Sequence, residues 1–235
     1  MWLYSIVRTF GFSIEGEMKM IDLMSDLPPY SQGEEICNAL SHFTGFCFSL
    51  HWSKNIINKA KKENCKNILL GRSIFCITMI FTFLNSTIYH GLTKEMMKIK
   101  IIFRYIDHTS VFLHLIGTAS PFVLQIIHPT SVISFILVWV FVFVGIIAKI
   151  ISFDTFEKIS TYYYVSIGFI VAASPGKGWF EMNSKAVKWF FIGSFTHLLG
   201  VYFYSLTEKI RYTHFVFHII STVAIGMHTY SIGLL

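Results

Sequence analysis

Three histidines carry the strongest chemical signal in this sequence, and two of them stand four residues apart. His214 and His218 would share one face of a helix, because four residues make about one helical turn. Two imidazoles at that spacing project over the same patch and can bind one metal ion. His90, at the end of an earlier apolar stretch, is the natural third ligand, and three ligands leave a tetrahedral zinc ion with one open position. The sequence therefore predicts a Zn2+ site.

A carboxylate and a hydroxyl fall beside these histidines in the expected arrangement. Ser86 lies four residues before His90, on the same helical face, and Asp107 opens the next apolar stretch. Asp107 could accept a proton from water at the open zinc position, or orient that water. Ser86 could hydrogen-bond a substrate carbonyl or support Asp107. We predict catalytic roles for Asp107 and Ser86.

Four further polar residues are candidates for supporting the site. Offsets of three and seven place Glu35, Asn38 and His42 on one helical face of the first apolar stretch. A carboxylate that pairs with the second nitrogen of a metal-binding imidazole fixes its tautomer. His228 lies on the same stripe as the histidine pair, further into the membrane. The competing interpretation is that these polar groups only make structural hydrogen bonds, within or between helices.

The elements that must position these groups are membrane spans. Hydrophobic residues make up 54% of the chain and charged residues only 14%, whereas a soluble domain carries about 25% charged residues. The mean hydropathy is +0.58. A span needs about 20 mostly apolar residues, and the first and fifth of the seven candidate stretches are short and polar. The stretches are 35–52, 68–90, 104–127, 131–151, 159–174, 187–206 and 213–234. The expected fold class is an all-α integral membrane protein, a seven-transmembrane-helix bundle with an intramembrane metal site.

With seven spans, the three histidines and Asp107 would share one membrane face. Polar side chains in lipid cost several kcal/mol, so they are kept where they have a partner or a function. The 19 Lys and Arg residues divide almost evenly between the two sides, so the positive-inside rule does not set the orientation. The net charge of +6 is spread over short loops, which indicates contact with the lipid bilayer and no nucleic-acid partner. The four cysteines lack CxxC spacing and are predicted to be free thiols.

Taken together, these motifs resemble those of the haemolysin III family. The resemblance rests on EEICNALSH at 34–42, STIYH at 86–90, DH at 107–108 with GTASP at 117–121, and THFVFH at 213–218 with His228 downstream. It places the chain beside the progestin and adiponectin receptor superfamily and, more distantly, beside alkaline ceramidases. Order and approximate spacing agree over about residues 33–235, so the set is more specific than any one motif.

The resemblance implies a seven-helix domain over residues 34–235, with a zinc ion held near the cytosolic face by the same three histidines. The conserved Ser and Asp of the family match Ser86 and Asp107. A cytosolic N-terminus is also implied, which the charge distribution did not establish. Residues 1–33 match nothing in the family pattern, and we expect them to form a cytosolic or interfacial segment.

Three functions remain open at this stage. The first is zinc-dependent hydrolysis of a lipid amide or ester, which follows from the three histidines with a nearby Asp and Ser, and from the ceramidase relationship. The second is a pore-forming cytolysin, the activity that gave the family its name, and this function would require a homo-oligomer. The third is a receptor for a small or lipidic ligand. Family analogy alone does not choose among them.

Overall fold

The computed structural model describes residues 27, 28 and 30–235, without the side chains of Lys94 and Asp154. The rest of the predicted N-terminal segment 1–33 lies outside the described residues. Seven long α-helices follow one another: α1 Gln32–Lys62, α2 Lys66–Gly91, α3 Met97–Gln125, α4 Pro129–Ile151, α5 Phe153–Ala173, α6 Ser184–Tyr204 and α7 Thr213–Leu234. Short 3-10 helices span Lys94–Met96 and Gly176–Phe180. The predicted all-α architecture is confirmed for this part of the chain.

Four of these helices, α2, α4, α6 and α7, are long and apolar enough to cross a membrane. The other three have the length but carry charged residues such as Glu35, Lys100 and Glu157, which pair with groups on neighbouring helices. Large apolar side chains remain exposed along the outside of the bundle, as at Ile136 and Val140 of α4. An apolar exterior with the charged side chains paired inside the bundle is what lipid requires. The chain is therefore a multi-pass membrane protein.

Three helices extend past the predicted spans. Helix α1 continues to Lys62, α3 begins at Met97, and α5 begins at Phe153. The charged segments 54–66, 94–104 and 154–158, which the sequence suggested as breaks between spans, are therefore largely helical. Hydropathy marks where contact with lipid ends, whereas a helix continues as long as its backbone hydrogen bonds are made and its charged side chains find partners.

Helix α3 is central, since it packs against α2, α4, α5 and α7. Helix α1 lies against both α2 and α7, and α6 packs mainly on α7. Fully buried aromatic side chains such as Phe75, Phe112 and Phe190 fill the interior. One end of the bundle, at which α1, α3, α5 and α7 begin and α2, α4 and α6 end, gathers most of the buried charges. We call this end the site face.

Helices α2 and α3 approach closely where Gly71 faces the end of the GTASP motif. A Cβ atom on Gly71 would lie 2.8 Å from the carbonyl oxygen of Ser120 and 3.1 Å from Cα of Pro121. These are backbone atoms, which no change of rotamer can move away. The absence of a side chain at Gly71 thus sets the separation of the two helices that carry Ser86 and Asp107.

Changing Gly71 to alanine is expected to lower the free energy of unfolding by about 1–3 kcal/mol, because α3 must shift to relieve the contact. Unfolding of each variant in mixed detergent micelles would measure this loss of free energy. Gly226→Ala in α7 is the matched control, since a Cβ there meets nothing within 4 Å and the higher helix propensity of alanine favours the variant by up to about 1 kcal/mol. Equal stability of the two variants would contradict this account of the helix crossing.

Candidate metal centre

Three histidines from two helices meet at the site face. His90 ends α2, and His214 and His218 lie in the first turns of α7; one ring nitrogen from each lies within 4.8 Å of the others. The Nε2 atoms of His214 and His218 are 3.0 Å apart, and the ring centroid of His90 is 4.9 Å from that of His218. His90 and His218 are each only 2% exposed. The structure brings together the three residues that sequence reasoning selected as ligands.

The nitrogen atoms of these rings are placed as a metal site would need. His90 Nδ1 lies 2.6 Å from Glu35 Oε2 and 3.5 Å from the Asn38 amide nitrogen, while His90 Nε2 is buried with no hydrogen-bond partner among the described residues. His218 Nδ1 lies 3.4 Å from the Ser41 hydroxyl, which leaves Nε2 towards the cluster. Buried nitrogens without partners are costly. Zn2+ binds imidazoles whose other ring nitrogen is held by a neighbouring group, as it is for His90 and His218, whereas His214 Nδ1 is buried with no hydrogen-bond partner in the part of the chain that the structure describes. The three buried imidazoles, with one nitrogen of each this close to the others, fit the ion.

Glu35 joins His90 to a lysine that also holds the end of α2. The second carboxylate oxygen of Glu35 lies 2.8 Å from Lys100 Nζ. Lys100 also donates hydrogen bonds to the backbone carbonyls of Tyr89, at 3.0 Å, and Leu92, at 2.9 Å. A cation at the carboxyl end of a helix is favoured by the helix dipole. Lys100 therefore fixes both the Glu35 carboxylate, which contacts His90, and the end of α2, which carries His90.

A Glu35→Gln variant is expected to bind zinc about 10- to 100-fold more weakly, because the amide provides a poorer acceptor for His90 Nδ1. Competition with a chelator of known affinity would measure the change on purified protein. Glu63→Gln removes the same charge from the opposite end of the bundle, where Glu63 pairs with Arg72 at 2.7 Å, and should leave zinc affinity unchanged. Wild-type affinity in the Glu35 variant would rule out this supporting role.

Glu34, the residue before Glu35, contacts the segment just before α7. Glu34 and Ser31 form a capping box at the start of α1. The same Glu34 carboxylate accepts a hydrogen bond of 2.8 Å from the backbone N–H of Tyr212, two residues before His214. The ring of Tyr30 stacks on His214 with centroids 4.9 Å apart. The Ser-x-x-Glu pattern was a readable signal for the cap, but nothing in the sequence pointed to its contact with α7.

The two predicted catalytic residues lie next to each other across the crossing of α2 and α3. The Ser86 hydroxyl interacts with the Asp107 carboxyl, yet no hydrogen bond of standard geometry satisfies its oxygen within the described part of the chain. Ser86 is 1% exposed. Because Ser86 lies one turn before His90 on α2, the pair stands beside the histidine cluster.

His42 and His228 have different surroundings. The ring of His42 stacks on that of His218 with centroids 3.8 Å apart, so His42 lies at the site. His228 lies ten residues further along α7 than His218, or about 15 Å deeper. Its ring packs on Phe190 and His197, at 5.1 Å and 5.4 Å between centroids. The structure therefore places His228 apart from the other candidate residues.

A second buried ionic group, which sequence reasoning missed, lies at the same face. The side chain of Lys149 is fully buried and forms an ion pair with Glu157. Glu157 also accepts a hydrogen bond of 2.7 Å from the Tyr204 hydroxyl and lies 3.4 Å from His108 Nδ1. This group joins α3, α4, α5 and α6. A lysine inside an otherwise apolar run was the available signal.

Known proteins are similar to this sequence over most of its length. The profile of a family described as "Haemolysin-III related" matches residues 30–229, a range that contains every candidate site residue. "Hemolysin-3 homolog" of Bacillus subtilis (strain 168) is 27% identical over 186 residues, which is 79% of this chain and 86% of that protein. "Hemolysin-3" of Bacillus cereus is 25% identical over 187 residues, covering 79% of this chain and 84% of that protein.

Proposed function

This chain belongs to the haemolysin III family, and on that premise we propose that it is a zinc-dependent hydrolase of a lipid amide or ester. The observation that carries the proposal is the buried cluster of His90, His214 and His218, whose inner nitrogens face one another. Ser86 lies one helical turn before His90 on α2, and Asp107 of α3 is adjacent to Ser86. A ligand set of three histidines with a neighbouring acid is typical of hydrolytic zinc sites.

Each group has a definite role in the proposed reaction. Zinc bound by the three imidazoles would polarise the substrate carbonyl and make water a stronger nucleophile at neutral pH. The Asp107 carboxylate takes the proton from the attacking water as its oxygen bonds to the carbonyl carbon. When the C–N or C–O bond breaks, Asp107 gives that proton to the departing amine or alcohol. Ser86 Oγ donates a hydrogen bond to the substrate carbonyl or holds Asp107 in place.

The surroundings of the site favour a lipid as the substrate. The candidate residues are buried between helices whose outer surface is apolar. A substrate would therefore reach them from the bilayer, with its acyl chain in lipid and its amide or ester at the site face. By resemblance to the family, we propose that the site face and the N-terminus are cytosolic.

An assay on purified protein in neutral detergent tests this function. A long-chain ceramide and a monoacylglycerol would supply one amide and one ester, and mass spectrometry would measure released fatty acid. Release should stop when a chelator removes the metal and return when zinc is restored. A variant with all three histidines changed to alanine is the control. If zinc-loaded wild type releases no more fatty acid than this control from either lipid, the proposed function is wrong.

Membrane lysis is the second candidate, and the names of the two relatives favour it. A lytic protein would assemble as a homo-oligomer and release markers from liposomes up to a fixed size. Dextrans of graded size inside liposomes would show such a limit. Size-limited release that is unchanged in the three-histidine variant would support lysis and separate it from the metal centre.

A further inference from the structure

The guanidinium group of Arg104 is buried without an anionic partner in the described part of the chain. Arg104 lies on α3 at the site face and is only 6% exposed. It forms no ion pair within 4.0 Å, and its Nε atom has no hydrogen-bond partner among the residues described. The ring of Phe153 lies 4.5 Å from its Cζ. A cation–π contact offsets part of the desolvation of a buried guanidinium but satisfies none of its N–H donors.

The nearby carboxylates whose side chains the structure describes are engaged elsewhere. Glu35 binds His90 and Lys100. Glu157 pairs with Lys149 and accepts a hydrogen bond from a tyrosine. The carboxylate of Asp107 is one helical turn from Arg104 but interacts with Ser86 instead. Two opposite charges on one helix are thus held apart, although pairing at this spacing is ordinarily favourable.

Tyrosines connect the surroundings of Arg104 to the histidine cluster. Lys100, one helical turn before Arg104 on α3, lies 4.9 Å from the ring centroid of Tyr89, whose ring centroid is 4.6 Å from that of His90. The ring of Tyr30 is stacked on His214, and the ring centroid of Tyr204 is 5.8 Å from that of His214. Arg104 therefore lies one helical turn from a chain of contacts that reaches the histidine cluster.

We propose that Arg104 binds an anionic oxygen group, a phosphate or a carboxylate, on the lipid that this site hydrolyses. The inference rests on the proposed function and specifies its substrate class as an anionic amphiphile. A planar guanidinium donates two parallel hydrogen bonds to two oxygens of one such group. Holding the head group at Arg104 places the rest of the lipid beside Asp107 and the histidines, which is the orientation that hydrolysis needs.

Thermal unfolding of the full chain in a neutral detergent tests the site without requiring turnover. The probes are hexadecyl phosphate, palmitate and the neutral hexadecanol. At about 100 times its Kd, an anionic probe should raise Tm by roughly 5–10 °C, and hexadecanol should not. A shift with hexadecyl phosphate alone identifies a phosphate head group, and one with palmitate alone identifies a carboxylate. Shifts with both identify recognition of oxygen anions in general.

Arg104→Gln should weaken binding of the anionic probe about 10- to 100-fold, because charge-assisted hydrogen bonds are lost. Arg211→Gln, which removes an exposed charge at the same face, should keep the full shift. An undiminished shift in the Arg104 variant, or no shift with either anion in wild type, overturns the inference. If Arg104→Gln does not fold, Arg104→Lys is the test variant, because an ammonium group cannot donate two parallel hydrogen bonds to one anion. An undiminished Tm shift in Arg104→Lys would also overturn the inference. Binding that depends on Arg104 in a protein that hydrolyses nothing would reject the proposed function and leave the anion site standing.

Discussion

Replacing His214 by alanine is expected to lower the zinc content of the purified protein from about one ion per chain to almost none, because two protein ligands do not hold a zinc ion that three hold. Hydrolysis should fall to the background rate in the same preparation. His214 Nε2 lies 3.0 Å from His218 Nε2, so its loss also leaves the second imidazole of the pair without its neighbour. Metal analysis of protein purified without added zinc would measure the content.

The same substitution at His228 is a matched control. It removes a histidine from the same helix, but one that packs on His197 and Phe190 instead of facing the cluster. His228→Ala should therefore keep its zinc and its turnover, with a loss of packing as its only effect. Zinc retained by His214→Ala, or lost from both variants alike, would show that the three-histidine cluster is not the binding site.

Changing Asp107 to asparagine should keep the zinc but lower kcat by about 100- to 10,000-fold. The amide has nearly the same shape as the carboxylate and can still contact Ser86, but it cannot take a proton from water. Measurement of zinc content and turnover on one sample distinguishes a role of Asp107 as a base from a role as a metal ligand. Loss of zinc would mean that Asp107 holds the metal, and unchanged turnover would mean that another group is the base.

A Ser86→Ala variant provides the comparison for the loss of kcat in Asp107→Asn. Ser86 lies beside Asp107, and its hydroxyl is replaced by a hydrogen atom with little change in packing. If Ser86 only positions Asp107 or one substrate oxygen, its loss should cost less than the loss of Asp107. A larger cost at Ser86 would reverse the assigned roles.

The candidate ligands could be chosen from sequence because helical period and span order together fix both face and depth. Spacing placed His214 and His218 on one face, and counting spans brought His90 to the same end. The period alone was not enough for His228, since residues on one helix face can lie at different depths and meet different helices. The helical period does not give the depth of a residue in the bundle, and only the contacts in the structure show which helices His228 meets.

The pairing of charged groups could not be read from the sequence. Arg104, Lys149 and Glu157 lie in segments that looked like span ends or loops, because a charge lowers local hydropathy whether it faces water or a buried partner. Lys149 and Glu157 pair between two helices although they are only eight positions apart in the sequence, and Glu157 also binds Tyr204 of a third helix. Arg104 has no anionic partner among the described residues. No local pattern of the sequence records these arrangements. Charged residues such as Glu35 on α1, Lys100 on α3 and Glu157 on α5 make these helices more polar than the four whose composition alone marks them as membrane spans.

The two neighbouring glutamates at the start of α1 reach in different directions, Glu34 to the backbone before α7 and Glu35 to the histidine at the end of α2. Since α1 leaves the ribosome well before α7, the contact of Glu34 with the start of α7 forms only after α7 has been synthesised. Loading of the metal would then follow the synthesis of α7, and a nascent chain released before α7 would be unable to hold the ion.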